Sequence, residues 1–397
     1  MLVALILVPA ESASVEPGSP PGSVLLISMD GVRHDYPGRA DTPALDRVAK
    51  SGGHASRLVP VFPTNTFPSH ASIATGAYPD RHGIVNNRFT DRKRGRFDYD
   101  DDAAWLEAEP LWITAERQGV KAAVFYWVAS GTPWRKRDAS YVRRPYDRET
   151  SADEKVDQLL GWLDLPLEER PRLLMSYWRG ADHAGHAHGP DSRQVRRSLE
   201  AQDRALARLL EGLDQRGLWQ SITLLIVSDH GMTEATRNID VRGALKREAL
   251  RARLVRGGGM AFVELEEPGR RPDALRLINE LEGVSAFATE DLPEELRTHH
   301  AERSGDIVLV AEPPYGFLRS GWRNRMGRLL GRGSGTHGYH PAHPDMGAIF
   351  FATGRGVPVG LEFGAVRSID IAATAALLLA IEPPLDSEGQ PIPGFGR

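Results

Sequence analysis

The stretch "SITLLIVSDHGM", residues 221–232, places an unbroken apolar run directly before an aspartate and a histidine. The run from Ile222 to Val227 has the length of a strand and lacks polar alternation, so it predicts a strand buried on both faces. Such strands are typical of parallel sheets that helices cover on each side. Asp229 and His230 follow at the carboxyl end of this strand, where open parallel sheets bind their ligands.

The same alternation of strand and helix extends outward from this stretch in both directions. Further apolar runs of strand length occupy residues 24–27, 121–128, 172–178 and 346–354. Amphipathic segments, most of them preceded by capping residues, predict helices at 42–52, 151–164, 192–217 and 368–382. Strands that alternate with helices predict an α/β fold with a mostly parallel central sheet and helices on both faces.

The domain organisation is expected to be simple. One catalytic domain should occupy residues 23–397, because no repeat or long low-complexity segment divides the chain. Between about residues 236 and 335 the pattern becomes irregular, with short runs, the glycines 257–259 and the basic, glycine-rich "RMGRLLGRGSG". We therefore expect an insertion there, which sits on the main domain as a cap.

Composition narrows the classes of function. The 397-residue chain is 41% hydrophobic and 26% charged, with a net charge of -4, which is typical of a globular protein without a broad basic field for nucleic acid. The expected partner is a small-molecule substrate, and the oligomeric state is left open. Cysteine is absent, which excludes thiolate nucleophiles and thiolate metal sites, so a metal would need His, Asp or Glu ligands.

The N-terminus opens with "MLVALILVPAESAS", in which Leu2 to Val8 form an apolar run before small residues. This pattern is typical of the apolar core and cleavage zone of a signal peptide that lacks its basic start, and the run is too short to span a bilayer. Residues 1–22 are therefore expected to be a signal-peptide remnant and linker, and the protein to be periplasmic or secreted. A disordered or buried apolar start, with a cytoplasmic location, is the alternative.

Carboxylates and imidazoles recur where the predicted strands end. Because the carboxyl ends of parallel strands share one edge of the sheet, these side chains are expected to converge there. Asp182 and His186 are four residues apart, so one helical turn can aim both at one point. The candidate metal ligands are Asp30, Asp182, His186, Asp229, His230 and His337.

Three aspartates and three histidines suffice for two divalent ions with three protein ligands each. Mixed Asp/His ligation with open positions is typical of catalytic zinc. Two such ions about 4 Å apart stabilise both the attacking and the leaving oxygen of a phosphoryl displacement. Taken singly, an aspartate behind a strand is more often a helix cap, but the joint pattern favours two Zn²⁺ ions.

The stretch "PTNTFPSH", residues 63–70, holds two threonines between two prolines. Pro68 suits the first turn of a helix through "SHASIATG", which would place Thr66 at the helix N-terminus, where backbone N–H groups favour a phosphate. A threonine hydroxyl becomes a nucleophile when a metal binds it as the alkoxide. Thr64 and Thr66 are both candidates on these grounds, and a capping threonine without chemistry is the alternative.

Four motifs in order resemble a known family. They are "PTNTFPSHASIATGAYPDRHGIVNN", "DHAGHAHGP", "VSDHGM" and "GTHGYHP…MGAIFFATG". From about residue 23 to the end, the chain resembles the nucleotide pyrophosphatase/phosphodiesterase family of the alkaline phosphatase superfamily. The resemblance implies an alkaline-phosphatase-like fold and a zinc-dependent phosphoric diester hydrolase or nucleotide pyrophosphatase.

The resemblance also implies a role for each candidate residue. Thr66, rather than Thr64, is implied as the nucleophile that forms a covalent phospho-enzyme. The zinc that activates it would bind Asp30, Asp229, His230 and Thr66 itself. The zinc that activates the hydrolytic water would bind Asp182, His186 and His337. The phosphate and its organic group would be contacted by Asn87, Phe67 and Tyr177.

Other classes of function stay open at this point. A phosphomonoesterase or phosphonate hydrolase of the same superfamily is the nearest alternative, although a monoester dianion calls for an additional cation that no motif supplies. The basic residues Arg135, Lys136 and Arg137 are candidates for contact with an anionic substrate, or for a solvated turn. The non-enzymatic alternative is an inactive relative that binds a metal or ligand, and it predicts damage at the nucleophile or ligands, all of which are present.

Overall fold

A computed structural model of the chain describes residues 22–318 and 334–396. The strands within these ranges are β1 (Ser23–Met29), β2 (Gly52–Val59), β3 (Arg88–Asp91), β4 (Gly95–Asp98), β5 (Ala122–Phe125), β6 (Tyr141–Arg143), β7 (Leu173–Trp178), β8 (Ile222–Val227), β9 (Thr233–Ala235), β10 (Arg237–Asn238), β11 (Ala252–Gly257), β12 (Met260–Leu265), β13 (Val284–Ala288), β14 (Ile307–Ala311), β15 (Tyr315–Gly316), β16 (Ser334–Thr336), β17 (Phe350–Gly354) and β18 (Leu361–Arg367). The α-helices are α1 (Pro43–Ser51), α2 (Thr66–Thr75), α3 (Pro79–His82), α4 (Leu111–Arg117), α5 (Ala152–Leu163), α6 (Asp182–His188), α7 (Arg193–Gln215), α8 (Val241–Arg247), α9 (Arg271–Asn279) and α10 (Asp370–Leu379).

The central sheet has eight strands in the order β18-β2-β17-β8-β1-β7-β5-β6. Strand β1 lies between β7 and β8 and runs parallel to both. Strand β17 is antiparallel to its neighbours β8 and β2, whereas the other pairs in this sheet are parallel. The predicted α/β fold with a mostly parallel sheet is therefore confirmed.

Both faces of the sheet are covered, as the unbroken apolar runs indicate. In β1, Val24 and Leu26 pack into the core under α2, α4 and α10, and Leu25 and Ile27 pack into the core under α1, α5 and α7. Each fully buried aliphatic side chain of this kind contributes roughly 1.5–3 kcal/mol. Helix α5 begins as its sequence indicates, because Ser151 forms a capping box with Glu154.

The irregular segment between residues 236 and 335 contains a second sheet. Strands β11, β12, β14 and β13 pair in that order as an antiparallel sheet, and helices α8 and α9 share a core with it. Strands β9 and β16, at the two ends of this segment, pair with each other, so the chain leaves the main domain and returns to it at one place. The extent of a cap stays a prediction, because most of "RMGRLLGRGSG" lies outside the described residues, as does the predicted signal remnant up to residue 21.

None of the helices in the described ranges is long and apolar enough to cross a membrane.

Candidate active site

The predicted ligands converge at the carboxyl ends of three adjacent parallel strands. Asp30 follows β1, Asp182 opens the helix after β7, and Asp229 follows β8. The chain turns sharply after Asp30 because Gly31 has a φ of +66°, and a side chain there would meet the backbone of Asp182 at 2.8 Å. The close approach of these two aspartates therefore depends on a glycine between strand and loop.

One compact group consists of Asp182, His186 and His337. The Nε2 atoms of His186 and His337 are 3.1 Å apart, and the Asp182 Oδ1 atom lies 3.2 Å from the first and 3.6 Å from the second. One ligand atom from each of the three residues fits within 4.8 Å of the others, which suits a single metal ion. This is the set that the family resemblance implies for one of the two metals.

A second compact group consists of Asp30, His230 and, again, Asp182. The His230 Nε2 atom lies 3.6 Å from Asp30 Oδ1 and 3.2 Å from Asp229 Oδ2. The rings of His230 and His337 stack with centroids 3.8 Å apart, so the two groups are neighbours. Asp182 belongs to both groups. Asp229, which the family resemblance assigns to the same zinc as Asp30 and His230, contacts His230 without joining the compact group.

The three imidazoles present the same nitrogen to the site. Nδ1 of His186, His230 and His337 faces the backbone carbonyl of Gly335, Gly231 and Thr64 at 2.9, 2.9 and 3.0 Å. A carbonyl oxygen only accepts hydrogen bonds, so Nδ1 must carry the proton. This arrangement leaves the Nε2 lone pair directed into the site, as metal-binding histidines require.

Three carboxylate oxygens in the site are buried without a hydrogen-bond donor. They are Asp30 Oδ1, Asp182 Oδ1 and Asp229 Oδ2. The other oxygens of two of these residues are satisfied, since the Tyr177 hydroxyl donates to Asp30 Oδ2 at 2.7 Å and the Gly31 N–H donates to Asp229 Oδ1 at 2.9 Å. Leaving buried carboxylate oxygens unpaired is costly, and a cation is the partner that fits them.

The pKa shifts of Asp30 and His337 also favour a cation in the site. Burial and the neighbouring carboxylates of Asp229 and Asp182 raise the pKa of Asp30 well above its usual range. Burial and the other two imidazoles lower the pKa of His337 well below its usual range, which keeps it neutral, as a metal ligand must be. Clustered carboxylates that repel one another, beside imidazoles whose Nε2 atoms face them, form a donor set that a divalent cation stabilises.

The two threonines of "PTNT" have different surroundings. Thr66 is the first residue of α2, and its half-buried Oγ1 atom lies 3.3 Å from the His230 Nε2 atom. Thr64 is fully buried, and its hydroxyl donates to the Tyr339 carbonyl at 3.1 Å and accepts from the Gly338 N–H at 3.0 Å. Thr66 is therefore the hydroxyl beside the ligands, while Thr64 supports the loop that carries His337.

A cleft of about 290 Å³ opens beside these groups. Residues that line it include Asn87, Arg88, Tyr99, His186, Arg256 and His337. Asn87 accepts a hydrogen bond from the Phe67 N–H at 2.8 Å and donates to the Tyr99 hydroxyl at 3.2 Å. The Phe67 ring packs edge-on against Tyr99, with centroids 5.3 Å apart, which joins the two aromatic residues beside the Asn87 amide.

Comparison with known proteins assigns the chain to a family. The family model for type I phosphodiesterases and nucleotide pyrophosphatases matches residues 24–340. The chain belongs to this family.

Relatives differ in length from this member of the family. An uncharacterized pyrophosphatase/phosphodiesterase of Schizosaccharomyces pombe is 31% identical over 347 residues, which cover 84% of this chain and 71% of that protein. The venom phosphodiesterase of Naja atra is 31% identical over 389 residues, which cover 91% of this chain but only 44% of the venom protein. The chain thus spans less than half the length of the venom relative.

A solved structure in the family confirms the fold. Murine ectonucleotide pyrophosphatase/phosphodiesterase 5, as an inactive threonine-to-alanine form in complex with AMP, superposes with a TM-score of 0.83 at 27% sequence identity. The match covers 91% of this chain and 96% of that chain. The predicted alkaline-phosphatase-like class is therefore correct.

The structure adds one site residue of this family member that the sequence reasoning missed. His70, fully buried on α2, contacts the Thr66 carbonyl through Nδ1 at 2.8 Å and the Ser28 hydroxyl through Nε2 at 2.8 Å. Its Nδ1 atom also lies 3.4 Å from Asp229 Oδ2. His70 thereby links the start of α2 to Ser28 on β1 and to Asp229 after β8. Its spacing of four residues from Thr66 is the sequence signal that could have identified it.

Two further predictions concern the substrate pocket. The Tyr177 hydroxyl binds Asp30, so its clearest contact supports a candidate ligand, and its predicted role at the pocket border stays a prediction. Residues 135–137 do not line the cleft described above. Arg135 instead donates to the Glu107 carbonyl at 2.8 Å and lies over the Trp134 ring, which favours the solvated-turn interpretation for it.

Proposed function

We propose that the chain is a two-zinc phosphodiesterase or nucleotide pyrophosphatase that acts through a covalent phospho-threonine on Thr66. The observation on which this rests is the set of three buried carboxylate oxygens without donors, which lie close to three imidazole Nε2 atoms. One of these Nε2 atoms, that of His230, is 3.3 Å from the Thr66 hydroxyl. Oxygen and imidazole donors of this kind suit zinc, and they fit the group that the family resemblance implies.

The donor set divides between two zinc ions. One would be held by Asp182, His186 and His337. The other would be held by Asp30, Asp229, His230 and the Thr66 oxygen. Because Asp182 belongs to both compact groups, the two zinc sites would lie side by side. When bound, such a pair lowers the pKa of a coordinated hydroxyl or water and offsets the charge that develops on the phosphate oxygens.

The chain's own residues organise two successive displacements. The Thr66 Oγ1 atom forms a bond to phosphorus, the bond from phosphorus to the leaving oxygen breaks, and the hydroxyl proton passes to solvent. A water oxygen then attacks the same phosphorus and releases a proton, the Thr66–phosphorus bond breaks, and the Thr66 oxygen takes up a proton, which restores the hydroxyl. The N-terminus of α2 and the Asn87 amide hold the phosphate oxygens during both steps.

A nucleotide is our proposed substrate. The structural relative that binds AMP is an inactive threonine-to-alanine form, which supports both a nucleotide ligand and a threonine at the centre of the reaction. In this chain, Phe67 is half-buried beside Tyr99 and Asn87, so a base can stack on an aromatic ring next to the phosphate. Such stacking contributes roughly 1–3 kcal/mol for each base.

One observation favours a second candidate function, phosphomonoester hydrolysis. Arg88 and Arg256 line the same cleft as Asn87, and a cation is what a monoester dianion needs. Arg88, however, is paired with Asp98 at 2.6 Å and stacks on the Tyr99 ring. These contacts hold its guanidinium at the cleft wall, so we keep the diester as the proposed substrate.

A periplasmic or secreted location is part of the proposal. It is supported by the apolar run from Leu2 to Val8, and by relatives that are named as venom enzymes and ectoenzymes.

The reaction is tested by trapping the covalent intermediate. The protein is mixed with nitrophenyl thymidine monophosphate, quenched in acid within one turnover and digested, and the peptide that contains Thr66 is analysed by mass spectrometry. We expect a thymidylyl group on Thr66 in the wild type and none in Thr66→Ala. Turnover without any labelled threonine would reject the covalent route, and faster turnover of nitrophenyl phosphate than of the diester would favour the monoesterase.

A further inference from the structure

Three asparagine side chains join the start of α2 to the cleft. They are Asn65, Asn86 and Asn87, which we call the asparagine bridge, and all three are buried. The Asn65 Nδ2 atom donates to Asn86 Oδ1 at 2.9 Å, and the same oxygen accepts from the Asn87 N–H at 2.7 Å. The Asn87 Oδ1 atom in turn accepts from the Phe67 N–H at 2.8 Å. These contacts close a ring that contains Thr66, which lies between Asn65 and Phe67 in the chain.

Asn65 occupies the N-cap of α2 but directs its side chain away from the helix. An asparagine at this position usually accepts a hydrogen bond from an N–H of the first turn. The Asn65 amide instead donates to Asn86 and to the Gly257 carbonyl, at 2.9 and 3.2 Å. The N–H at the second helical position belongs to Phe67, and Asn87, 20 positions further along the chain, accepts from it. The capping role is thus transferred to Asn87, and the Asn65 side chain holds Asn86.

Backbone groups fix the orientation of the two amides in the first contact of the bridge. Because the Asn87 N–H can only donate, Asn86 must present its oxygen there. Because the Gly257 carbonyl can only accept, Asn65 must present its nitrogen. Gly257 leaves room for both amides, since a side chain on it would meet Asn86 Oδ1 at 2.6 Å and Asn65 Nδ2 at 2.9 Å. The contact therefore has one direction, in which Asn65 donates and Asn86 accepts.

We propose that Asn65 and Asn86 are positioning residues for phosphoryl transfer. The proposal rests on the proposed function, in which the Asn87 amide holds the phosphate oxygens while the Thr66 hydroxyl attacks. Asn65 directly precedes Thr66 in the chain. Asn86 directly precedes Asn87 and accepts from its N–H. The contact between Asn65 and Asn86 therefore sets the distance between the attacking hydroxyl and the amide that holds the phosphate. Misplacement of a reacting group by about 1 Å lowers a rate by about a hundredfold.

A double-substitution cycle separates positioning from general stability. The kcat/KM for nitrophenyl thymidine monophosphate is measured for the zinc-loaded wild type, Asn65→Leu, Asn87→Ala and the protein with both substitutions. We expect Asn65→Leu to lower kcat/KM at least about tenfold in the wild-type background. When Asn87 is already replaced, the same substitution should cost less than about threefold, because two changes that act through one contact do not add. Equal factors in the two backgrounds would refute a role that acts through Asn87.

The matched control is a second asparagine whose side chain binds backbone. Asn279 binds both the N–H and the carbonyl of Ala286 in the second sheet, and it lies outside the cleft. We expect Asn279→Leu to lower the free energy of unfolding and to leave kcat/KM at the wild-type value. A loss of kcat/KM in Asn279→Leu as large as that in Asn65→Leu would reduce the effect to stability and overturn the proposal.

Two isosteric substitutions test the direction of the hydrogen bond. Asn86→Asp keeps the oxygen that accepts from Asn65 and from the Asn87 N–H, so kcat/KM should stay within about threefold of wild type. Asn65→Asp places an oxygen against the Asn86 oxygen and the Gly257 carbonyl, so kcat/KM should fall about a hundredfold. Both variants add one carboxylate, so added charge alone would affect them alike. An equal loss in the two variants, or no loss in Asn65→Asp, would contradict the proposal.

Amide hydrogen exchange separates failure of this proposal from failure of the proposed function. The Phe67 N–H donates to Asn87 Oδ1, so its exchange rate reports on the bridge in protein without substrate. We expect this rate to rise about tenfold in Asn65→Leu and to stay unchanged in Asn279→Leu. An unchanged rate in Asn65→Leu would overturn the proposal even if the wild type hydrolyses the diester. A wild type that does not hydrolyse the diester, with the expected change in exchange, would reject the proposed function and the positioning role with it, while the bridge itself would stand.

Discussion

Substituting the two threonines of "PTNT" should separate stability from catalysis. Thr64→Val removes a fully buried hydroxyl that donates to the Tyr339 carbonyl at 3.1 Å and accepts from the Gly338 N–H at 3.0 Å. The Gly338 N–H keeps a second bond to the Thr64 carbonyl at 3.0 Å, so one acceptor, the Tyr339 carbonyl, loses this donor. That loss should lower the free energy of unfolding by about 1–3 kcal/mol.

The backbone of Thr64 should keep the site assembled in this variant. Its carbonyl accepts from His337 Nδ1 at 3.0 Å, and that contact does not depend on the side chain. We therefore expect kcat/KM to fall less than about tenfold in Thr64→Val. Thr64→Ser, which keeps the hydroxyl, is the matched control and should retain most of the stability.

Thr66→Ala should show the opposite pattern. Its side chain is half-buried and fills no core volume, so the free energy of unfolding should stay within about 0.5 kcal/mol of wild type. Loss of the oxygen that we propose as the nucleophile should lower kcat by about a thousandfold or more. Urea unfolding and steady-state kinetics on the same preparations measure both quantities. The reasoning is refuted if Thr64→Val abolishes turnover while Thr66→Ala remains active.

Two further substitutions test the surroundings of the site, and a third tests a buried carboxyl elsewhere in the chain. Tyr177→Phe removes the 2.7 Å bond to Asp30 and should weaken zinc affinity about tenfold, as competition with a chromophoric chelator would show; unchanged affinity would contradict a supporting role. Phe67→Ala should lower kcat/KM for nitrophenyl thymidine monophosphate about tenfold relative to nitrophenyl phosphate, because the base loses the ring on which it stacks. An unchanged ratio of the two kcat/KM values would show that the base does not bind against Phe67. Burial raises the pKa of Asp101 to about 7, above the value near 4 of the unfolded chain, so this carboxyl costs stability as the pH rises through that interval. In Asp101→Asn, the free energy of unfolding should therefore fall less steeply between about pH 4 and 7 than in the wild type. An equally steep fall in both proteins would reject a raised pKa for Asp101.

The convergence of the ligands could be predicted because its causes are local and general. An apolar run such as Ile222–Val227 identifies a buried parallel strand, and Asp229 and His230 come directly after it. The parallel arrangement of β7, β1 and β8 then brings the loop residues of all three strands to one edge. No long-range contact had to be known for this inference.

The second sheet has a sequence signal at its first hairpin. Strands β11 and β12 form a hairpin whose two-residue turn is Gly258-Gly259, and Gly258 has a φ of +72°. A Gly-Gly pair between short apolar runs predicts such a hairpin. The same turn brings the second sheet against the His337 loop, since a side chain on Gly258 would meet the His337 carbonyl at 2.1 Å.

Other features could not be predicted, because they depend on contacts between residues far apart in the chain. The hydrogen bond from Tyr177 to Asp30 joins residues that are 147 positions apart. Asp182 belongs to both ligand groups because of the way α6 lies against β1. A cavity lined by Arg88, Arg96 and Arg253 combines a hairpin near residue 90 with a strand near residue 255. None of these pairs has a spacing that a local pattern could reveal.

Zinc stoichiometry tests the central claim most directly. Metal is removed from the purified protein with a chelator, zinc is returned in measured steps, and both bound zinc and kcat/KM for a nucleotide diester are recorded at each step. We predict that the stripped protein is inactive and that activity returns fully as bound zinc reaches two ions per chain, through the carboxylates and imidazoles around Thr66. Full activity in the stripped protein, or full recovery at one ion per chain, would contradict the two-zinc account.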